Sequence, residues 1–427
     1  MIEETEYKKR RDSLAKKLSA NSVAVLFSSE VKTRSNDTEY PYRQNSNFYY
    51  LTGFKEDDSS LVFVKSKGKV KTILFVQEKD EKVELWNGKR LGEEKAKEQF
   101  LVDEVYASSK LSTKLKEFLL DKQSLYYDFS LDYSKVKILK RYSKQLFSYN
   151  NIATIVNKMR LIKSSSEINL IQQAIDITQL AHHKVMSLKK PGKMEYQLQA
   201  EIEYVFKSNG AYSDAYTSIV ACGNSANTLH YISNDKPLLE NELILIDAGC
   251  EYEYYASDIT RTIPVSGKFT EPQKELYEMI LDVQLQIIAM IAPHVKRSEL
   301  QKKSEELLCK GLVELGILQG DCKKLIKQKK HKKYYPHGIG HWMGIDVHDE
   351  APYKDEKGKE ILLQEGMVMT IEPAIYIDKD DENVPQKYCG IGIRIEDDIL
   401  ITKEGCQNLS KGIAKSIDEI ESFLNHQ

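Results

Sequence analysis

The sequence predicts two unequal domains, an α/β domain over residues 1–158 and an α+β domain over residues 159–427 in which one order of elements is used twice. Three observations lead there. A chain of 427 residues exceeds one ordinary hydrophobic core, since single domains mostly hold about 100 to 200 residues. The first third alternates short β-like runs with charged helical stretches. Beyond residue 160 a pair of helices followed by strands bearing carboxylates occurs once, and then again.

In the first domain residues 22–27, 60–64 and 71–76 read as strands, and residues 91–100 as a helix. The second domain opens with Ser164-x-x-Glu167, a capping box, and a helical apolar stripe through Ile168, Ile171, Ile175, Thr178, His182 and Val185, closed by Pro191-Gly192. A helix over 194–209 stops at Gly210. Strands over 243–248 and 259–265 carry aspartates. The order then recurs: a helix opened by Pro272, another over 298–315, and strands over 367–372 and 391–397 that carry glutamates. Residues 410–424 read as a closing helix. The recurrence implies an internal duplication.

Composition narrows the function. Lys plus Arg number 62 against 64 Asp plus Glu, a net charge of -2, so no broad field draws nucleic acid. The most apolar stretch, near residues 287–292, is far short of the ~20 residues that cross a bilayer, and the charged start MIEETEYKKRR lacks the apolar core of a secretory signal. Neither nucleic acid nor membrane is an expected partner. Six scattered cysteines without a C-x-x-C pair suit a reducing cytoplasm. Seven lysines between Lys323 and Lys333 read as a solvated loop or helix end.

The chemistry lies in misplaced acids. LILIDAG puts Asp247 directly behind four aliphatic residues, where a lone carboxylate is costly. Asp258 opens the next strand, and a hairpin brings the two onto one face. Glu372 in MVMTIEP and Glu396 in IGIRIEDD repeat the oddity. Four carboxylates meeting from four strands repel, and two divalent cations bridged by hydroxide neutralise them. Histidine is the missing donor, and YYPHGIGHWMGIDVHDE supplies His337, His341 and His348. His337 and His341 have the spacing of an H-E-x-x-H zincin, but Gly-Ile-Gly lies between them, without the glutamate and with poor helix propensity.

Several segments together resemble the pita-bread metallopeptidases, specifically the Xaa-Pro aminopeptidase (aminopeptidase P) family. They are TEYPYRQNSNFYYLTGF and LWNGKRLGEEKA in the first domain, then RLIKSSSEI, CGNSANTLHY, LIDAGCEYEYYASDITRT, HGIGHWMGIDVHD, TIEPAIY and GIRIEDD. The resemblance implies a pita-bread (creatinase/aminopeptidase) catalytic domain with a pseudo-twofold duplication. It implies metal-dependent release of the first residue from peptides with proline second, by a hydroxide bridging two metals. Asp247 then chelates one metal, His341 and Glu372 hold the other, and Asp258 and Glu396 bridge. An oxygen-rich set with one imidazole suits manganese. His230, His337 and His348 take the place of outer histidines that bond the substrate carbonyl and its oxyanion. Arg394 and Tyr376 match a supporting pair, and Glu372 is the expected proton shuttle. Trp86 matches a tryptophan that reaches a neighbouring copy in the family's oligomers, so a homo-dimer or tetramer is expected. Prolidase shares the ligands; Trp342 and the first-domain match favour the aminopeptidase. Creatinase lacks the metals, and metal-free binding modules of this fold typically break the ligand set that is whole here.

Overall fold

The computed structural model describes residues 2–425, and the chain divides into two compact units, Met1–Arg160 and Leu161–Gln427. The first unit is built on a six-stranded mixed sheet. Its strands are β1 (Ser22–Phe27), β2 (Ser60–Ser66), β3 (Lys69–Val76), β4 (Glu104–Ala107), β5 (Ser124–Tyr127) and β6 (Ser148–Asn151), in the order β4-β3-β2-β1-β5-β6. β1, SVAVLF, is buried at every position, as an unbroken apolar run in a sheet covered on both faces should be. β2 and β3 form a hairpin whose register pairs Ser66 with Lys69. Its two loop residues, Lys67 and Gly68, both have positive φ (49° and 78°), the primed turn that matches strand twist. Val23, Val25, Val62, Ile73, Phe75 and Leu125 pack together with Leu115, Leu119 and Leu139 from the helices that cover this sheet.

The second unit begins with α1 (Ser165–Leu188) and α2 (Glu195–Ser208). The Ser164 hydroxyl accepts from the Glu167 backbone N–H at 3.2 Å and the Glu167 carboxylate accepts from the Ser164 N–H at 2.9 Å, closing the capping box. Three antiparallel strands follow, β7 (Ile219–Cys222), β8 (Leu243–Ala248) and β9 (Ile259–Pro264). Helices α3 (Glu271–Ala289) and α4 (Arg297–Glu314) then repeat the helix pair. They precede β10 (Val368–Ile371), β11 (Ala374–Tyr376), β12 (Gly392–Arg394), β13 (Asp397–Ile401) and β14 (Cys406–Asn408). The element order of the first half thus recurs in the second.

Two expectations about this unit are corrected. Residues 391–397 are two strands, not one: β12 pairs with β11 and β13 with β10, and Ile395-Glu396 lies in the gap between them. Opposite the gap stands Glu372-Pro373, and proline has no N–H to give a ladder. Both glutamates therefore sit at a break in the sheet. The closing helix is shorter than residues 410–424, running over Ile417–Asn425 as α5. The carbonyls of Ile413 and Ala414 accept from the Arg261 guanidinium and that of Lys415 from the Tyr277 hydroxyl, so they are not available to a helical ladder.

Candidate metal centre and active site

The register of the two antiparallel pairs places the acids. β8 and β9 match Asp247 with Thr260 and Ala248 with Ile259, so Asp258 lies beside the Asp247 end of the pair. β10 and β13 match Ile371 with Asp397, which leaves Glu372 and Glu396 at the corresponding end of theirs. Gly249 lets the first pair close: a Cβ there would lie 1.8 Å from the Ser257 carbonyl oxygen. The two pairs are tied together, since the Glu396 N–H donates to the Thr260 carbonyl at 3.1 Å and the Asp258 N–H to the Asp398 carboxylate at 3.1 Å.

All four carboxylates face one cavity of about 530 Å³. Asp247, Asp258 and Glu396 are 8%, 5% and 2% exposed; the Glu372 side chain keeps 17% of its surface open to the cavity. Burial raises the Asp247 carboxyl despite the Arg394 guanidinium, pushes Glu372 up to about 7, and drives Glu396 well above the carboxylate range with Asp258, Glu372 and Asp247 adding to it. The Tyr216 hydroxyl is 2.5 Å from Asp247 and 2.6 Å from Asp258. One hydroxyl hydrogen serves only one of them, so the second carboxyl calls for a proton or a cation.

His341 completes the set. Its Nδ1 is 3.1 Å from the Trp342 carbonyl, to which it donates, so Nε2 faces Asp258 at 3.2 Å and Glu372 at 3.9 Å. Burial lowers this imidazole, but the hydrogen bond and charge of Asp258 win and carry it up to about 9. Among the described residues, ligand atoms come within 4.8 Å of one another in three overlapping groups: Asp247 with Asp258 and Glu396; His341 with Glu372 and Glu396; Asp258 with His341 and His348. Asp258, His341 and Glu396 each belong to two groups. Oxygen-rich donors that share members, with excess buried negative charge, fit a pair of divalent cations.

The other expected residues line the same cavity. Arg394 donates to the Tyr376 hydroxyl at 2.7 Å and to Asp247 at 2.5 Å. Tyr376 in turn lies 3.0 Å from His337 Nε2, and His337 Nδ1 lies 2.8 Å from the Gly338 carbonyl. With Nδ1 donating to that carbonyl, Nε2 accepts from Tyr376, and Tyr376 accepts from Arg394, a directed chain into the site. Burial and then Arg394 push His337 down to about 4, so it is neutral at pH 7. The His348 ring lies 3.9 Å from that of His341, and burial lowers it. His230 stands on an exposed segment at the cavity wall between Leu229 and Ile232. Trp86, in contrast, belongs to the other unit, where it is 86% exposed.

Sequence reasoning missed Tyr216, which has no distinguishing neighbours in AYSDAYTSIV. It also missed Thr260, whose hydroxyl donates to Glu396 at 2.7 Å and accepts from Arg394 at 3.0 Å. The available signal was the polar run Thr260-Arg261-Thr262 inside a strand bounded by Ile259 and Ile263.

Residues 169–403 match the model of metallopeptidase family M24, and residues 7–126 match that of the aminopeptidase P N-terminal domain. Among similar proteins, the Xaa-Pro aminopeptidase of Haemophilus influenzae is 40% identical, covering 98% of this chain and 97% of its own. That of Escherichia coli is 39% identical over 99% and 98%. Proline aminopeptidase P II from Yersinia pestis superposes with a TM-score of 0.96 at 38% identity over the whole of both chains. Zinc-substituted E. coli aminopeptidase P in complex with product gives 0.96 at 38% identity, covering 100% of this chain and 99% of that one.

Proposed function

From the premise that this chain belongs to metallopeptidase family M24, we propose that it is an Xaa-Pro aminopeptidase, releasing the first residue of peptides whose second residue is proline. One observation carries the reading. Four acids, three of them buried, and one imidazole share a cavity wall in a chain that matches, nearly end to end, enzymes named for that activity.

Asp247, Asp258, His341, Glu372 and Glu396 are the residues that would hold two divalent cations. Such a pair would supply a water made nucleophilic near neutral pH and a Lewis acid for the scissile carbonyl. The protein does the rest. Glu372 is the most open of the four acids, and its carboxylate is the one placed to take a proton from the attacking water and pass it to the departing proline nitrogen. His348 and His230 stand to donate hydrogen bonds to the carbonyl oxygen as negative charge grows on it, while His337, held neutral and bonded through both ring nitrogens, fixes the Tyr376 hydroxyl that Arg394 also holds. A bond to proline has no N–H, so selection rests on apolar walls for the ring. Ile219, Leu229, Ile232 and Val347 line the cavity for that purpose.

The hard, oxygen-rich donor set supports manganese as the working metal. Trp86 and Leu85, 86% and 82% exposed, support a homo-oligomer, dimer or tetramer, in which this apolar pair is covered. Among the described residues no helix is long and apolar enough to span a membrane, and we place the enzyme in the cytoplasm. The deciding experiment compares an Xaa-Pro-Xaa tripeptide with an Xaa-Pro dipeptide, using chain stripped of metal and reloaded with Mn2+. Release of the first residue from the tripeptide is the expected outcome; cleavage of the dipeptide alone makes the chain a prolidase.

A further inference from the structure

The loop between the two cavity histidines has almost no side chain with which to hold itself. Gly338-Ile339-Gly340 separates His337 from His341, and a Cβ on Gly340 would stand 1.9 Å from the Thr370 carbonyl oxygen. The loop is therefore pressed against β10 as bare backbone. On that side the Glu372 N–H donates to the Ile339 carbonyl at 2.9 Å, the Thr370 N–H to the His341 carbonyl at 3.0 Å, and the His341 N–H to the Thr370 hydroxyl at 3.1 Å.

The opposite side is held by one face of α4, at helical spacings of four. Arg297 donates through Nε to the Gly340 carbonyl at 3.1 Å, with Nη2 a second donor to the same oxygen. Its guanidinium lies 4.7 Å from the centre of the Tyr353 ring, which itself stacks on Trp342. Gln301 accepts the Ile339 N–H at 2.7 Å. Its amide can be turned only one way, because its Nε2 donates to Glu305 at 2.8 Å. Glu305 also takes Lys332 at 2.7 Å, and Lys332 reaches the His337 carbonyl at 3.3 Å. The end of the lysine-rich run is thus fastened to this helix.

We infer that Arg297 and Gln301, with Glu305 fixing the Gln301 amide, are positioning residues: they clamp the Gly338–Gly340 backbone so that His341 presents Nε2 to the metal site and His337 reaches the Tyr376 hydroxyl. None of the three touches the reacting atoms. The inference rests on the reading above that His341 is a metal ligand. Groups that orient a ligand in this way typically change metal affinity or activity 10- to 100-fold when removed.

The test uses the full chain carrying Gln301→Met, which keeps length and loses the acceptor, and separately Arg297→Lys, a milder change in case the first does not fold. Calorimetric titration of metal-free protein with Mn2+ is paired with kcat and KM on an Xaa-Pro-Xaa tripeptide. One of the two metal steps should weaken about 10- to 100-fold while the other stays at the wild-type value, and kcat should fall more than KM rises. The double variant Q301E/E305Q restores the relay with donor and acceptor exchanged, and should recover the weakened step to within about 3-fold of wild type. Two unchanged metal steps in Gln301→Met, or no recovery in the double variant, overturns the clamp. A wild-type chain that binds two metals yet leaves Xaa-Pro peptides intact removes the functional reading, while the titration still decides the clamp.

Discussion

Glu396 and Asp397 are neighbours in sequence, and both are buried almost completely, at 2% and 0% exposure. Their chemistry is opposite. Asp397 accepts from Arg261 at 2.7 Å, Lys415 at 2.5 Å, Asn408 at 2.8 Å and Ser410 at 3.0 Å. Burial raises its carboxyl, but Arg261 and Lys415 outweigh that and hold it far below the usual carboxylate range. Arg261 spends all five N–H donors, on Asp397 and on the carbonyls of Thr260, Glu396, Ile413 and Ala414. Glu396 has a donor in Thr260 but three other acids around it, and is raised instead. Burial sets the cost in both cases; the counter-charge decides whether the acid belongs to the framework or waits for a cation.

The largest expected effect breaks the framework acid. Asp397→Asn leaves Arg261 buried without its anion and should cost about 3–5 kcal/mol of stability, read as a lower denaturation midpoint with or without metal. Glu396→Gln should do the reverse. It removes an acid whose charged form the metal-free fold tolerates poorly, so metal-free stability should hold or rise. With Glu396 a metal ligand as proposed, tripeptide hydrolysis should fall by about 100-fold or more, since loss of a ligand exceeds loss of its supports.

Proton release sharpens the same contrast. In metal-free protein His341 is protonated below its value of about 9, and Glu372 below about 7. Binding of Mn2+ must displace these protons, and titration in buffers of differing ionisation heat should show net release at pH 6.5 and less at pH 8. For stability the sign is fixed. Glu372 is raised, so between the ordinary value near 4.5 and about 7 the folded metal-free chain binds more protons than the unfolded one, and its stability falls as pH rises through that window. Metal-loaded chain should lack this term, and subtracting the two profiles cancels groups common to both.

The smallest expected effect at neutral pH concerns such a common group, whose window lies wholly in acid. His182, on the buried face of α1, is lowered to about 3 by burial and then by Arg261. As pH falls below 6.5 the unfolded chain takes up this proton and the folded chain does not. Stability is therefore lost on acidification, by at most about 1.4 kcal/mol per pH unit. His182→Gln should flatten that slope in acid unfolding curves.

Much of the fold was legible because local rules and tertiary packing agree. The Ser164–Glu167 box, the apolar run of β1 and the stop at Gly210 each stand where pattern places them. Asp247, Glu372 and Glu396 stood out as acids behind aliphatic residues and Asp258 as the acid that opens the next strand, and the structure brings the four together. What was not legible depends on partners far away in sequence. Arg261, between Thr260 and Thr262 on β9, reads as part of a polar, solvent-facing run, and the distant Asp397 with the carbonyls of residues 396, 413 and 414 makes its burial possible. Those carbonyls of residues 413 and 414 keep residues 410–416 out of α5. The break at Ile395-Glu396 is set by Pro373 across the ladder, and the face of Arg297, Gln301 and Glu305 reads on α4 as ordinary surface polarity.

The most direct test of the central claim is a titration of metal-stripped chain with Mn2+ in which bound metal and release of the first residue from an Xaa-Pro-Xaa tripeptide are followed together. The account predicts two ions per chain, with activity appearing as the site fills, and neither in Glu396→Gln. Full activity without metal, or two bound ions in Glu396→Gln, would contradict it.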